Sequence, residues 1–252
     1  MDVVGDLLAR DRRSRDVALV TADGRERTSH DLITNAYKAA NVFRYLGVRQ
    51  GATVAIDPTP RLHTTLALLG AAALGAVVRF DPIAGTEAGD RAVLIDVADE
   101  PQTDPKPGTN LVAFGGPPKR PETTHWEQEL WSENPGMPPS SVDPDDAVIC
   151  GGSDGDLSHR RLLDLARSVI TSQRIGSGTR VVLRCDFTDP RSVAAGVIAP
   201  LAVGGIVVLP EQTATGSVDP TAHSRGDIAV TPTDRFEVPE PRRVALTSLS
   251  TW

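Results

Sequence analysis

Residues 150–165 read CGGSDGDLSHRRLLDL, with an apolar run, Ala147-Val148-Ile149-Cys150, ahead and a helical pattern from Leu157 to Ile170 behind. A strand, a Gly-rich turn and a helix N-terminus together make an anion site, because free backbone N–H groups and the helix dipole converge there. Gly151, Gly152, Ser153, Gly155 and Ser158 are the groups that would cradle a phosphate, and Arg160 and Arg161 are the nearest cations in sequence. Asp154 and Asp156 oppose that role. A carboxylate about 4 Å from a phosphate charge is repelled by about 4 kcal/mol at an effective dielectric near 20. The dipole returns roughly 0.3–1 kcal/mol at a surface, up to about 2 in a favourable geometry. Magnesium between Asp154 or Asp156 and a phosphate would reverse the balance, since it binds through one or two carboxylates plus phosphate oxygens. The plainer reading is that Asp156 or Ser158 caps the helix and Gly155 relieves a tight turn.

The same turn fits a second chemistry. Gly151-Gly152-Ser153-Asp154-Gly155 matches Gly-x-Ser-x-Gly, the pattern of a nucleophile elbow between a strand and a helix. Ser153 would be the nucleophile, Asp186 or Asp189 the acid and His223 the base. His159 could reach a substrate, although a histidine in a first helical turn more often packs or faces water. His30, His63 and His125 are scattered, and with two cysteines no cluster has metal-ligand spacing.

Composition limits the partners. The 252-residue chain carries 26 Lys+Arg against 33 Asp+Glu, a net charge of −7, so its surface does not attract nucleic acid or an anionic membrane. Lys38, Lys106 and Lys119 are the only lysines, so any cation beyond residue 119 is an arginine. An acidic, lysine-poor chain fits a salt-rich or high-GC organism. Cys150 and Cys185 read as free thiols in a reducing cytoplasm. No signal peptide or membrane span is expected; Gly70, Gly75 and Arg79 interrupt the apolar run 62–80.

The elements that must position the turn follow from periodicity. A short helix is expected at Val3–Arg10, and a hairpin around Asp23-Gly24. A helix capped by Ser29 and closed by Gly47 carries Leu32, Ile33, Ala36, Ala39, Ala40 and Phe43 at helical spacing. Strands are expected at 53–56, 76–80, 92–97, 111–114, 147–150, 180–184, 205–209, 228–230 and 244–246. Helices are expected at 60–74, 123–131, 157–172 and 190–203. Trp126 and Trp131 share the second of these and are expected to pack a seam. This alternation predicts an α/β fold with layered, mainly parallel sheets flanked by helices. Residues 1–114 and 145–252 form two candidate lobes joined by a Pro-rich segment, 115–144, possible also as one continuous domain.

The order of elements resembles the acyl-adenylate-forming (AMP-binding) superfamily of acyl-CoA synthetases and peptide-synthetase adenylation domains. The resemblance rests on Arg27-Thr28-Ser29-His30-Asp31-Leu32, the stretch Gly47 to Ile56, Leu66–Pro82 and Val142–Ala147. It continues through Leu157–Leu163, Gly178–Val181 and Pro200–Pro210. It implies part of the large N-terminal domain of those enzymes, with ATP or AMP and magnesium as ligands. The family's loop continues through a Pro-Lys-Gly step that has no counterpart between Gly155 and Ser158. Its later adenine-binding motifs and its C-terminal domain with a catalytic lysine find no match. The resemblance therefore implies a shortened, catalytically impaired relative that acts by binding a nucleotide, an acyl ligand or a partner protein, or a second copy of itself. An AMP-forming acid ligase completed by another chain is the alternative, and a Ser153 hydrolase a third reading. Apolar faces left open by the shortening are expected to be covered by residues 211–252 or by a second copy.

Overall fold

The computed structural model describes residues 1–80, 82, 87, 89–150, 155–211 and 224–249. Among these residues the strands form two sheets. The first is six-stranded: β1 (Val17–Val20), β2 (Glu26–Thr28), β10 (Arg180–Leu183), β11 (Ile206–Val208), β12 (Ile228–Thr231) and β13 (Arg242–Ala245), in the order β13-β12-β10-β11-β1-β2. The second has seven strands: β3 (Thr53–Ile56), β4 (Val77–Phe80), β5 (Asp90–Asp96), β6 (Asn110–Phe114), β7 (Thr124–His125), β8 (Ala147–Ile149) and β9 (Leu157–Ser158), in the order β7-β6-β5-β3-β4-β8-β9. Pairing is parallel except in the β1–β2 and β8–β9 hairpins. Each sheet takes strands from both sides of 115–144, so the two stretches flanking that segment share sheets and a core.

Period-two alternation assigns the faces. Val54, Ile56, Ala92 and Leu94 of the second sheet and Val181 and Leu183 of the first join one large core with the helices. Their neighbours Ala55, Val93 and Ile95, and Val182, point to the opposite faces and form two small clusters. The helices that fill the main core are α1 (Ser29–Tyr45), α2 (Leu62–Ala73), α3 (Trp126–Ser132), α4 (His159–Gln173) and a continuous helical stretch made of α5 (Pro190–Val193), a π-turn (Ala194–Ile198) and α6 (Ala199–Ala202). Helices α1 and α2 touch closely at Gly70, where a Cβ would lie 2.8 Å from the Ala40 backbone nitrogen. Any side chain there would force the helices apart.

Several local expectations shift. Thr28, not Ser29, caps α1; its hydroxyl accepts from the Asp31 N–H at 3.1 Å, and Asp31 accepts from the Thr28 N–H in return. That reciprocal pair satisfies two end donors at once, which a Ser29 cap would not. The expected helix at Val3–Arg10 is two 3-10 turns, Val4–Leu8 and Arg10–Arg12. The Asp6 carboxylate draws in the Asp2 and Val3 N–H groups, and Arg12 is tied to the carbonyls of Leu201 and Ala202 at 2.9 Å. Trp126 is buried against Phe43, ring centroids 5.4 Å apart, whereas Trp131 is 88% exposed; five residues apart on a helix, they point in different directions. The Pro-rich segment is held by a buried carboxylate: Glu100 accepts from the Lys119 and Arg120 N–H groups at 2.7 and 3.0 Å. Burial raises the Glu100 pKa, but these N–H groups, the Thr123 hydroxyl and the Arg120 charge outweigh it and hold the group below the ordinary value. In the tail, β12 and β13 extend the first sheet in parallel register. The exposed large hydrophobic residues among those described are Met1, Tyr45 and Trp131. No helix among the described residues is long and apolar enough to cross a membrane.

Candidate functional site

In open α/β sheets ligands sit beyond the carboxyl ends of the strands. Here those ends meet across the two sheets. The Phe187 N–H, just past β10, donates to the Pro58 carbonyl, just past β3, at 2.8 Å, and the Phe80 and Phe187 rings lie 5.4 Å apart. Strand β8 ends beside β4, where the Cys150 N–H donates to the Val78 carbonyl at 2.8 Å. Strand β8 therefore ends at this shared edge.

Gly151, Gly152, Ser153 and Asp154 lie outside the described residues, as does His223. Gly155 has φ +82°, a left-handed conformation that favours glycine, and a Cβ there would meet nothing within 4 Å. Asp156 is exposed. From there the chain does not enter a helix. Leu157 and Ser158 form β9, which runs antiparallel to β8 with Ile149 opposite Leu157 and Ala147 opposite Ser158. Helix α4 thus begins at the start of β8, roughly 7 Å back along the ladder from the Ile149 pair. This corrects the expected helix start: Leu157 and Ser158 are strand residues, and α4 begins at His159. Strands β8 and β9 pair as an antiparallel hairpin, and α4 begins after β9, opposite the start of β8.

The residues at that N-terminus are engaged locally. The Ser158 hydroxyl caps α4, accepting from the Arg161 N–H at 3.4 Å. Arg160 makes a two-pronged bond to Asp145, at 2.7 and 3.2 Å, on the far side of β8 from the turn. His159 is wholly buried, and its Nδ1 accepts from the Val4 N–H at 3.1 Å. Burial pushes its pKa down to about 4, against the weaker pull of Asp146 and Asp6. It is a packing residue that ties the first 3-10 turn to α4. Asp186 holds the Thr188 N–H at 3.0 Å and its hydroxyl; Asp189 caps α5 through the Arg191 N–H at 2.9 Å and pairs with the Arg191 guanidinium at 2.6 Å.

A cation does stand near the turn, from a place periodicity does not reveal. Arg79, on β4 next to β8, acts on Cys150. It is balanced by Asp90, which is almost wholly buried at 2.6 Å, and by Glu87 at 4.0 Å. The thiol of Cys150 reports the resulting field. Burial raises its pKa first and the Asp156 charge next; Arg79 pulls the other way, and Glu87 and Asp90 raise it further. Among the described residues, the charges acting on Cys150 are thus one guanidinium and three carboxylates. No group of three or more acidic, histidine or cysteine side chains placed to hold a metal occurs among the described residues. The one sequence signal for Arg79 was a charge inside an apolar strand, Val77-Val78-Arg79-Phe80. Arg184, just past β10, has the same signature. It is bound by buried Glu240 at 2.5 and 3.0 Å and donates to the Ser224 carbonyl at 2.9 Å.

An opening at the same edge carries no signal in the sequence. A cleft of about 540 Å3 lies between the β1–β2 turn, the residues leading into α2 and the chain after β11. Arg25, Arg27, Arg61 and His63 line it together with the carboxylates Asp23 and Glu211, beside Leu62, Leu209 and Pro210.

No protein-family model matches the sequence, and no curated protein matches it. Solved structures do match its fold. The anthranilate CoA ligase AuaEII, in complex with anthranoyl-AMP, superposes with a TM-score of 0.78 at 17% identity, over 91% of this chain and 49% of that one. The N-terminal domain of FACL13 from Mycobacterium tuberculosis gives 0.73 at 19% identity, over 92% of this chain and 63% of that one. A benzoate CoA ligase from Burkholderia xenovorans gives 0.73 at 19% identity, over 91% and 50%. The chain spans about half the length of the two ligases. It carries the α/β fold of the N-terminal domain of the acyl-adenylate-forming enzymes.

Proposed function

We propose that this chain is a ligase-like domain with impaired catalysis, which acts by binding a nucleotide, an acyl ligand or a partner protein. The carrying observation is the charge at the end of β8. Adenylation brings a carboxylate to the α-phosphate of ATP, so positive groups must offset two anions and stabilise the transition state. Among the described residues at this edge Asp156, Asp90 and Glu87 outnumber Arg79, and Arg160 is spent on Asp145. With α4 starting behind β9, its dipole gives the turn no help. A nucleotide at Gly155 and Asp156 would need magnesium to bridge the carboxylate to a phosphate. The two cysteines are free, which suits a reducing cytoplasm.

A second reading has one observation in its favour: the chain spans about half of the ligases it resembles. On that reading another chain, or another copy, supplies the cations the turn lacks, and the assembled pair forms acyl-adenylates. Calorimetry with ATP, with and without magnesium, tests ligand binding by the first reading. Heat only with magnesium, lost in Asp156→Asn, is expected if a carboxylate–magnesium–phosphate bridge holds the nucleotide; no heat under either condition removes the nucleotide and leaves acyl or protein partners. ATP–pyrophosphate exchange with a panel of carboxylic acids separates the two readings.

A further inference from the structure

We propose that the cleft lined by Arg25, Arg27, Arg61 and His63 is a binding site for a small molecule carrying an oxyanion, a phosphate or a carboxylate, on a compact apolar body. The inference rests on this cleft alone and does not depend on the role of the 150–156 turn.

Three observations carry it. The first is an unused donor. The buried Nε of Arg27, a donor, has no hydrogen-bond partner among the described residues, and neither has the buried Nδ1 of His63, which becomes a donor when the ring takes a second proton. A buried donor without a partner loses its hydration for nothing, and such groups in native structures call for a ligand, water or ion. Both residues line the cleft. The second is preorganisation. His63 stacks on Phe114, centroids 5.5 Å apart at 28°, with its Nε2 3.5 Å from Glu127. The Arg61 guanidinium lies over the same ring, 5.7 Å from the centroid, and is anchored to Asp96. Arg25 is braced by Asp23 at 3.1 Å. Three of the four groups are thus held in place before a ligand arrives, while Arg27 keeps its planar fork for a phosphate or carboxylate. The third is shape and chemistry. The volume suits a small molecule, and a few polar groups beside apolar walls such as Leu62, Leu209 and Pro210 are what such sites offer.

His63 adds discrimination. Burial holds its pKa below the ordinary value; Glu127 opposes this, Arg61 and Arg27 reinforce it, and Asp96 opposes it. A bound anion cancels the repulsion from Arg27 and Arg61, so the ring can take a proton from solvent and donate from Nδ1. A neutral ligand brings no such gain.

The test is titration calorimetry of the full chain with three probes of one shape: phenyl phosphate, benzoate and benzyl alcohol. The expected result is one-to-one binding of phenyl phosphate or benzoate, weakened at least tenfold by Arg27→Gln, with no binding of benzyl alcohol. Which of the two acids binds more tightly identifies the head group. The ring-proton resonances of His63 in the wild-type protein provide a measurement independent of any variant, and they are expected to shift during the same titration. Binding of neither acid, equal binding by Arg27→Gln and wild type, equal binding of benzyl alcohol, or an unmoved His63 signal would each overturn the proposal.

Discussion

Two places at the carboxyl edge of the sheets, the end of β8 and the cleft after β1, β3 and β11, use arginine in opposite ways. At the end of β8, Arg79 is matched by buried Asp90 and by Glu87, and Asp156 adds a further negative charge. At the cleft after β1, β3 and β11, Arg25 and Arg61 have carboxylate partners but Arg27 leaves a buried nitrogen unused. With almost no lysine in the chain, arginine must serve as both structural counter-ion and ligand donor. The difference between those uses is set by what sits opposite the guanidinium, not by the number of arginines nearby. A partnered arginine builds the fold, and an unpartnered one at a cleft is available for recognition.

The comparison breaks most easily where an arginine is fully committed. Glu240→Ala leaves the buried Arg184 charge unpaired, and it is expected to cost about 3–5 kcal/mol in urea unfolding. A loss below about 1 kcal/mol would mean that burial of the pair contributes little. Next comes His159. Its folded pKa of about 4 lies below the unfolded value of 6.5, so the unfolded chain binds the proton first as pH falls. The associated stability, on the order of 3 kcal/mol, is fully present above about pH 6.5 and is lost as pH falls toward 4. His159→Gln is expected to flatten that part of the stability–pH curve. Ser158→Ala removes the α4 cap and is expected to cost about 1 kcal/mol, read in the same assay. Arg27→Gln, at the cleft, is expected to change stability by less than about 0.5 kcal/mol, since no partner is lost.

One further variant sharpens the electrostatic side of the contrast. Asp156→Asn removes the largest charge acting on Cys150, so the thiol pKa is expected to fall and alkylation at mildly alkaline pH to quicken severalfold. An unchanged rate would mean that the field at the end of β8 does not come from Asp156.

Much of the frame was legible. Apolar spacing located α1, α2 and α4, the Asp23-Gly24 pair marked the first hairpin, and alternating strands and helices predicted the parallel sheets. The site was less so, for physical reasons. Strand β9 has two residues and passes directly into α4, too short for any period to show, yet it moves the helix N-terminus away from the turn. Arg79–Asp90, Arg184–Glu240 and the cleft around Arg27 and His63 join residues 11, 56 and 36 positions apart. Local pattern carries no record of such pairings beyond an arginine that interrupts or follows an apolar strand. Trp126 and Trp131 make the same point in reverse: one residue type five positions apart, with one buried and the other exposed.

On the function proposed above, the carboxylate-rich end of β8 does not support adenylation by this chain alone. ATP–pyrophosphate exchange by the purified protein, with magnesium and a panel of aliphatic and aromatic carboxylic acids, tests it most directly. The expected result is exchange no faster than in the absence of acid. Rapid, acid-dependent exchange by the chain alone would contradict the account.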